Sequence, residues 1–180
     1  MTRPTEAITG ITLATSTFEE TAHILSVFSK EHGRIKCVHK SFRKASVRGL
    51  SSLLAVEMTV CPSDKELWKC QDVTVVTSYP ALRLKLDRLR HAAEVTDLID
   101  KLLPLHLAVP HIYELYAAFM HHLPHFAAPD VAASLFLEKF YASEGMLEGQ
   151  PRFLEKQFEE CYSEKSDLGR YQKLIHSIRR

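Results

Sequence analysis

The chain has no long hydrophobic run: in all 180 residues, charge or proline interrupts every apolar stretch well before the roughly 20 residues a bilayer span needs. Its first residues, Met1 to Glu6, carry no apolar leader core, so a soluble, non-secreted protein is expected. Cysteine is scarce and badly spaced for metal. Cys37, Cys61, Cys70 and Cys161 include no C-x-x-C pair, which excludes a sequence-encoded zinc ribbon and leaves reduced, buried thiols in a cytoplasmic setting as the expectation. The six glycines are too scattered to cradle a phosphate, and G-x-S-x-G, Walker-type, G-x-G-x-x-G and H-E-x-x-H patterns are all missing. No catalytic constellation is legible, so no enzyme and no cofactor are expected.

Net charge is also nearly absent, at +1. That value is a cancellation. Residues 1–90 hold 14 Lys and Arg against 9 Asp and Glu, whereas residues 91–180 hold 9 against 13. The most unusual gap is one of acid alone. From His32 to Val56 there is no Asp or Glu, while Arg34, Lys36, Lys40, Arg43, Lys44 and Arg48 stand unopposed beside His32, His39 and Phe42. Arg34, Lys36 and Lys40 share strand parity and so project to one side. Such a surface attracts a polyanion by releasing condensed counterions, and Phe42 is placed to stack a base. A solvated basic loop without function is the plainer alternative.

The first 79 residues read as five strands: Ala7 to Thr15, Ala22 to Ser29, Arg34 to Lys40, Leu54 to Cys61 and Leu67 to Thr77. The fourth is clearest, because Leu54, Val56, Met58 and Val60 alternate with Glu57, Thr59 and Cys61 in a period of two. Lys30–Gly33 and Cys61–Asp64 read as hairpin turns, and Ser41 to Leu50 as a loop or single helical turn. Five short antiparallel strands in so few residues predict a small barrel, since closure removes exposed edges.

After Tyr79 the period changes. Leu82, Leu86, Leu89 and Ala93 predict one helix from Pro80 to about Leu103. Pro110 opens a second, and Pro129 a third that ends near Gly145. Two weaker helices are expected after Pro151 and Gly169. The fold class is therefore mixed β then α: a barrel over 1–79, then an all-α bundle over 80–180. Tyr113, Tyr116, Phe119, Met120, Phe126, Phe136, Phe140 and Tyr141 read as bundle core, with a groove for a short hydrophobic peptide as the alternative. His121, His122 and His125, with His106 and His111 upstream, read as surface or helix-end residues, because Pro124 interrupts the helix between possible ligands.

The segment Ile8-Thr-Gly-Ile-Thr-Leu, then Glu19 to Ile35 with Phe28-Ser-Lys-Glu-His-Gly at its centre, then Lys40-Ser-Phe-Arg-Lys, resembles the start of the RecO family of bacterial DNA repair and recombination mediators. In that family a "G-I-V-L" strand leads to "L-T-x-F-T-x-E-H-G" and then to a basic "K-G-x-R" loop. Tyr79-Pro-Ala-Leu-Arg is similar to the family's entry into its first helix, and Phe136 to Gly145 to a later helix end. The resemblance spans about 7–148 and is densest from Leu25 to Lys44. It implies an oligonucleotide-binding (OB) barrel joined to a helical domain. It also implies a non-enzymatic function: binding single- and double-stranded DNA, annealing strands, contacting the C-terminal tail of single-strand DNA-binding protein, and acting with RecR to load the recombinase, in the cytoplasm at the nucleoid. Within the loop, Lys40, Arg43 and Lys44 match the family pattern most closely, and Ser41 stands where glycine is customary. Many members carry a four-cysteine zinc motif after the helix that here ends near Gly145; with only Cys161 in that region, no zinc is expected. Residues 150–180 match no part of the family pattern. The alternative function is an adaptor whose barrel no longer binds DNA.

Overall fold

Strand β1 (Glu6–Glu19) pairs antiparallel with β2 (Ala22–Ser29) on one side and with β4 (Ala55–Cys61) on the other. Strand β3 (Gly33–Lys40) follows β2 by a tight turn, and β5 (Leu67–Thr77) lies between β3 and β4. The order β1-β2-β3-β5-β4 closes into a barrel, the arrangement of an OB fold. This computed structural model describes residues 4–19, 22–40, 51–147 and 149–177. One expectation is corrected here: the β3–β5 pair is parallel, because β5 must pass β4 and run alongside β3 for the barrel to close.

Alternation fills the barrel. Leu25, Val27, Ile35, Cys37, Val56, Met58, Val60, Trp68, Cys70 and Val73 point inward and are buried. The four cysteines are unpaired thiols, and Cys37 is pushed upward in pKa by its hydrogen bond to Cys70 and by burial. Gly33 takes a positive φ of 66° at the β2–β3 turn, and a Cβ there would lie 1.8 Å from the Leu107 carbonyl oxygen, so backbone packs directly on backbone. Buried Thr12 secures the return of the chain into β4: its hydroxyl donates to Ser51 O at 2.7 Å and accepts from the Leu54 amide at 2.9 Å.

Helices α1 (Pro80–Arg83), α2 (Leu86–Leu102), α3 (Pro110–His122), α4 (Pro129–Ser143) and α5 (Leu168–His176) follow, with single 3₁₀ turns at Leu123–His125 and Glu159–Cys161. The helix expected from Pro80 to Leu103 is thus two, broken at Leu84 and Lys85. The break resets the helical phase. Leu86 is 82% exposed, and the buried stripe of α2 is Ala92, Val95, Leu98 and Ile99. No helix follows Pro151; that stretch is irregular up to the Glu159–Cys161 turn, while the helix expected near Gly169 is α5.

The chain forms two compact units. One contains residues up to Pro80 together with Thr96–Tyr113; the other contains Ala81–Val95 and the chain from Glu114 onward. In the first, Phe28 meets Tyr113 edge-on at 5.4 Å and Trp68 stacks on His106 at 4.9 Å. In the second, Tyr116, Phe119, Met120, Phe126, Phe136, Phe140 and Tyr141 are core, as expected, whereas Tyr113, expected with them, is half-buried and belongs to the first unit, where it meets Phe28 of the barrel. Its organising polar group is Glu138, which is fully buried on α4. That carboxylate accepts the backbone N–H groups of Arg152 (2.9 Å) and Phe153 (2.6 Å), and Nε of Arg170 at 2.6 Å. Two turns earlier, Asp130 accepts from Ser166 Oγ and the Asp167 amide. Two carboxylates thereby hold the irregular segment after Pro151 in place.

Candidate nucleic-acid interface

The alternation of β3 sends Ile35, Cys37 and His39 into the barrel and leaves Arg34, Lys36, Val38 and Lys40 on its outer face. The expected projection of the three cations to one side is therefore present, but their surroundings differ. Arg34 lies against α2: its Nη1 donates to Asp100 Oδ1 at 3.2 Å, and the same oxygen accepts the Ser26 hydroxyl at 2.5 Å. The pair is largely covered, with side-chain exposures of 15% and 25%. Lys36 Nζ donates to Glu66 at 2.9 Å, more openly. That hydrogen bond and the lysine's charge hold the Glu66 carboxyl below its ordinary pKa. Lys40, at the end of the strand, is exposed and has no side-chain partner among the described residues.

Register adds a residue that the sequence did not single out. Val38 lies opposite Ile24 of β2 and opposite Lys69 of β5, so Ile24, Val38 and Lys69 form a row across three strands. Lys69 is exposed and also lacks a partner among the described residues. Lys40 and Lys69 therefore border a half-buried aliphatic floor of Ile24 and Val38. The signal for Lys69 was its place in the alternation Trp68-Lys69-Cys70, but its nearness to Lys40 depends on the parallel β3–β5 pairing.

The histidines of this region are engaged away from the face. His39 points inward, is buried, and has its pKa lowered by that burial. His32 bonds Glu6 at 2.9 Å and meets Trp68 edge-on. Phe42, Arg43, Lys44 and Arg48, the remaining residues expected to bind DNA, lie outside the described residues. The surface across β1, β4 and β5 is of opposite character: a groove of about 410 Å³ is lined by Glu57, Asp72, Thr9, Thr59 and Thr74, with no lysine or arginine among the described residues.

The second histidine cluster is engaged with its own unit. His122 places Nδ1 2.5 Å from the Tyr162 hydroxyl and Nε2 3.3 Å from Glu159, and stacks on Phe158. Burial lowers its pKa. Among the described residues no three His, Cys, Asp or Glu side chains converge as a metal site, and no helix is long and apolar enough to cross a membrane.

Residues 1–79 match the family model described as Recombination protein O N terminal. The chain is 30% identical over 119 residues to a protein of Geobacter sulfurreducens named DNA repair protein RecO, covering 63% of this chain and 48% of that protein. Proteins of the same name are 24% identical over 139 residues in Halalkalibacterium halodurans, covering 76% of this chain and 55% of the relative, and 26% identical over 168 residues in Caldicellulosiruptor saccharolyticus, covering 89% and 64%. The chain spans about half to two thirds of the length of these curated relatives.

Proposed function

The chain belongs to the RecO family, and from that premise we propose that it is a mediator of DNA repair and homologous recombination that binds single- and double-stranded DNA. It promotes annealing of complementary strands and, with RecR, helps load the recombinase. It acts stoichiometrically and breaks no covalent bond: cations on the barrel screen the repulsion between two phosphate backbones while base pairing proceeds. The barrel, residues 1–79, is the DNA module. The helical part, 80–180, serves the protein partners, RecR and the C-terminal tail of single-strand DNA-binding protein.

The observation that carries the reading is the outer face of β3. Lys40 and the neighbouring Lys69 are exposed cations with no carboxylate partner among the described residues, and Lys40 leads directly into Phe42, Arg43, Lys44 and Arg48. Arg34 and Lys36 complete the set, each offset by an acid. Those two ion pairs also favour the competing reading, an adaptor whose barrel has lost DNA, and one experiment separates the two. Reversing Lys40, Arg43 and Lys44 to Glu is expected to weaken single-strand binding by at least about 100-fold at low salt and to flatten the salt dependence by about 2 in log–log slope, at about 0.7 per phosphate contact. An equal shift for wild type and variant at low salt would refute the basic face as the DNA site, and no shift for the wild type would establish the adaptor instead.

A further inference from the structure

Phe18 is among the most exposed aromatic side chains of the described residues, at 52% of its full surface. It lies at a β-bulge. Thr17 pairs with His23 and Glu19 with Ala22, so β1 advances two residues while β2 advances one, and Phe18 is the extra residue. A bulge of this kind re-aims a side chain at the end of a pair of strands. The register also fixes its neighbourhood. Ala22, opposite Glu19, is itself opposite Lys40, so the end of β1, the start of β2 and the basic end of β3 lie together at one end of the barrel. The acid-free segment leaves β3 from that same end.

We propose that Phe18 is a stacking platform for an unpaired base, and that it gives the barrel a preference for single-stranded over double-stranded nucleic acid. The proposal rests on the DNA-binding reading above and adds to it a residue and a strand preference. An aromatic face stacks any base that is not already sandwiched in a duplex, with little dependence on sequence. Lys40, two strands further on across β2, then holds the backbone of the same nucleic-acid strand. The division of labour is specific: the lysines set affinity through a salt-dependent term, and Phe18 sets the strand preference through a term that salt barely changes.

The test compares oligo(dT) with a duplex of equal length by fluorescence anisotropy over a salt series, using the full chain. Phe18→Ala is expected to lower oligo(dT) affinity about tenfold, the scale of one lost stacking contact, leaving duplex affinity within about twofold and the salt slope unchanged. Phe18→Leu, which keeps apolar bulk without an aromatic face, should behave like Ala, and Phe18→Trp should retain or exceed wild-type affinity with its added emission quenched by oligo(dT). Equal losses on both substrates, or full oligo(dT) affinity in Phe18→Ala, would overturn the proposal while leaving the basic face intact as a DNA site. Failure of the wild-type chain to bind either substrate would overturn the DNA-binding reading and this inference with it.

Discussion

Replacing Glu66 by Gln should tighten DNA binding. In the wild type the carboxylate sits 2.9 Å from Lys36 Nζ and cancels that lysine's charge on the β3 face. The amide is nearly isosteric and uncharged, so Lys36 becomes available to a phosphate. One added contact to a single strand steepens the salt dependence by about 0.7 in log–log slope; taking the electrostatic gain as nil near 1 M salt, affinity rises about eightfold at about 50 mM and about threefold at about 200 mM. The fold should tolerate the change, since the pair is open to solvent and exposed pairs contribute little to stability. The contact of His106 with this residue is made to the Glu66 main-chain oxygen, which Gln preserves. Trp68, the single tryptophan, lies two residues away and reports locally on any disturbance. Anisotropy titrations of labelled oligo(dT) with wild type and Glu66→Gln across a salt series measure the effect. Asp97→Asn, which breaks the comparably exposed Lys101 pair on α2, serves as the control for a bare change of net charge. Equal affinity of Glu66→Gln and wild type at about 50 mM salt, or an equal gain in Asp97→Asn, would refute the assignment of the β3 face to the phosphate backbone.

Two further predictions concern stability. Glu138→Ala removes the shared acceptor of two backbone N–H groups and the Arg170 guanidinium, and should cost about 3 kcal/mol or more in urea unfolding, with new protease sensitivity in residues 150–167; a loss under about 1 kcal/mol would contradict the buried role given to this carboxylate. His39 and His122 both have pKa values lowered by burial, so the folded state binds fewer protons than an unfolded chain whose histidines titrate near about 6.5. Their contribution is complete above that pH and declines as pH falls toward the depressed folded values. Melting temperature should therefore drop from about pH 7.5 to about pH 5.5, and His39→Gln combined with His122→Gln should flatten the curve; an unchanged profile in the double variant would refute the attribution.

The barrel was legible because its strands are locally consistent: alternation, a Gly at a turn needing positive φ, and a run such as Val73 to Thr77 all point the same way. The outward direction of Arg34, Lys36 and Lys40 followed from parity alone. What their charges meet did not, because Asp100 and Glu66 lie 66 and 30 residues away along the chain. Lys69 was hidden for the same reason, as was the parallel pairing that puts it beside Val38. In the helices, Leu82, Leu86, Leu89 and Ala93 make a convincing stripe on paper, yet the break at Leu84–Lys85 has neither glycine nor proline to announce it. Nothing in the sequence singles out Glu138. Its burial depends on Arg152, Phe153 and Arg170, which come from a stretch without helical or strand period, where sequence patterns carry no information about packing.

Gly33 packing on the Leu107 carbonyl, Trp68 stacking on His106 and Asp100 bonding Arg34 make the barrel's structural unit discontinuous: residues near 100–113 complete what the first 80 begin. This has a consequence for the order of events at the ribosome. When the last barrel strand has emerged, Phe28 and Trp68 still lack Tyr113 and His106, and some thirty further residues must be synthesised before that side is covered, about two to six seconds at about 5–20 residues per second. For that interval the nascent chain carries the barrel strands with Phe28 and Trp68 still lacking the rings that cover them.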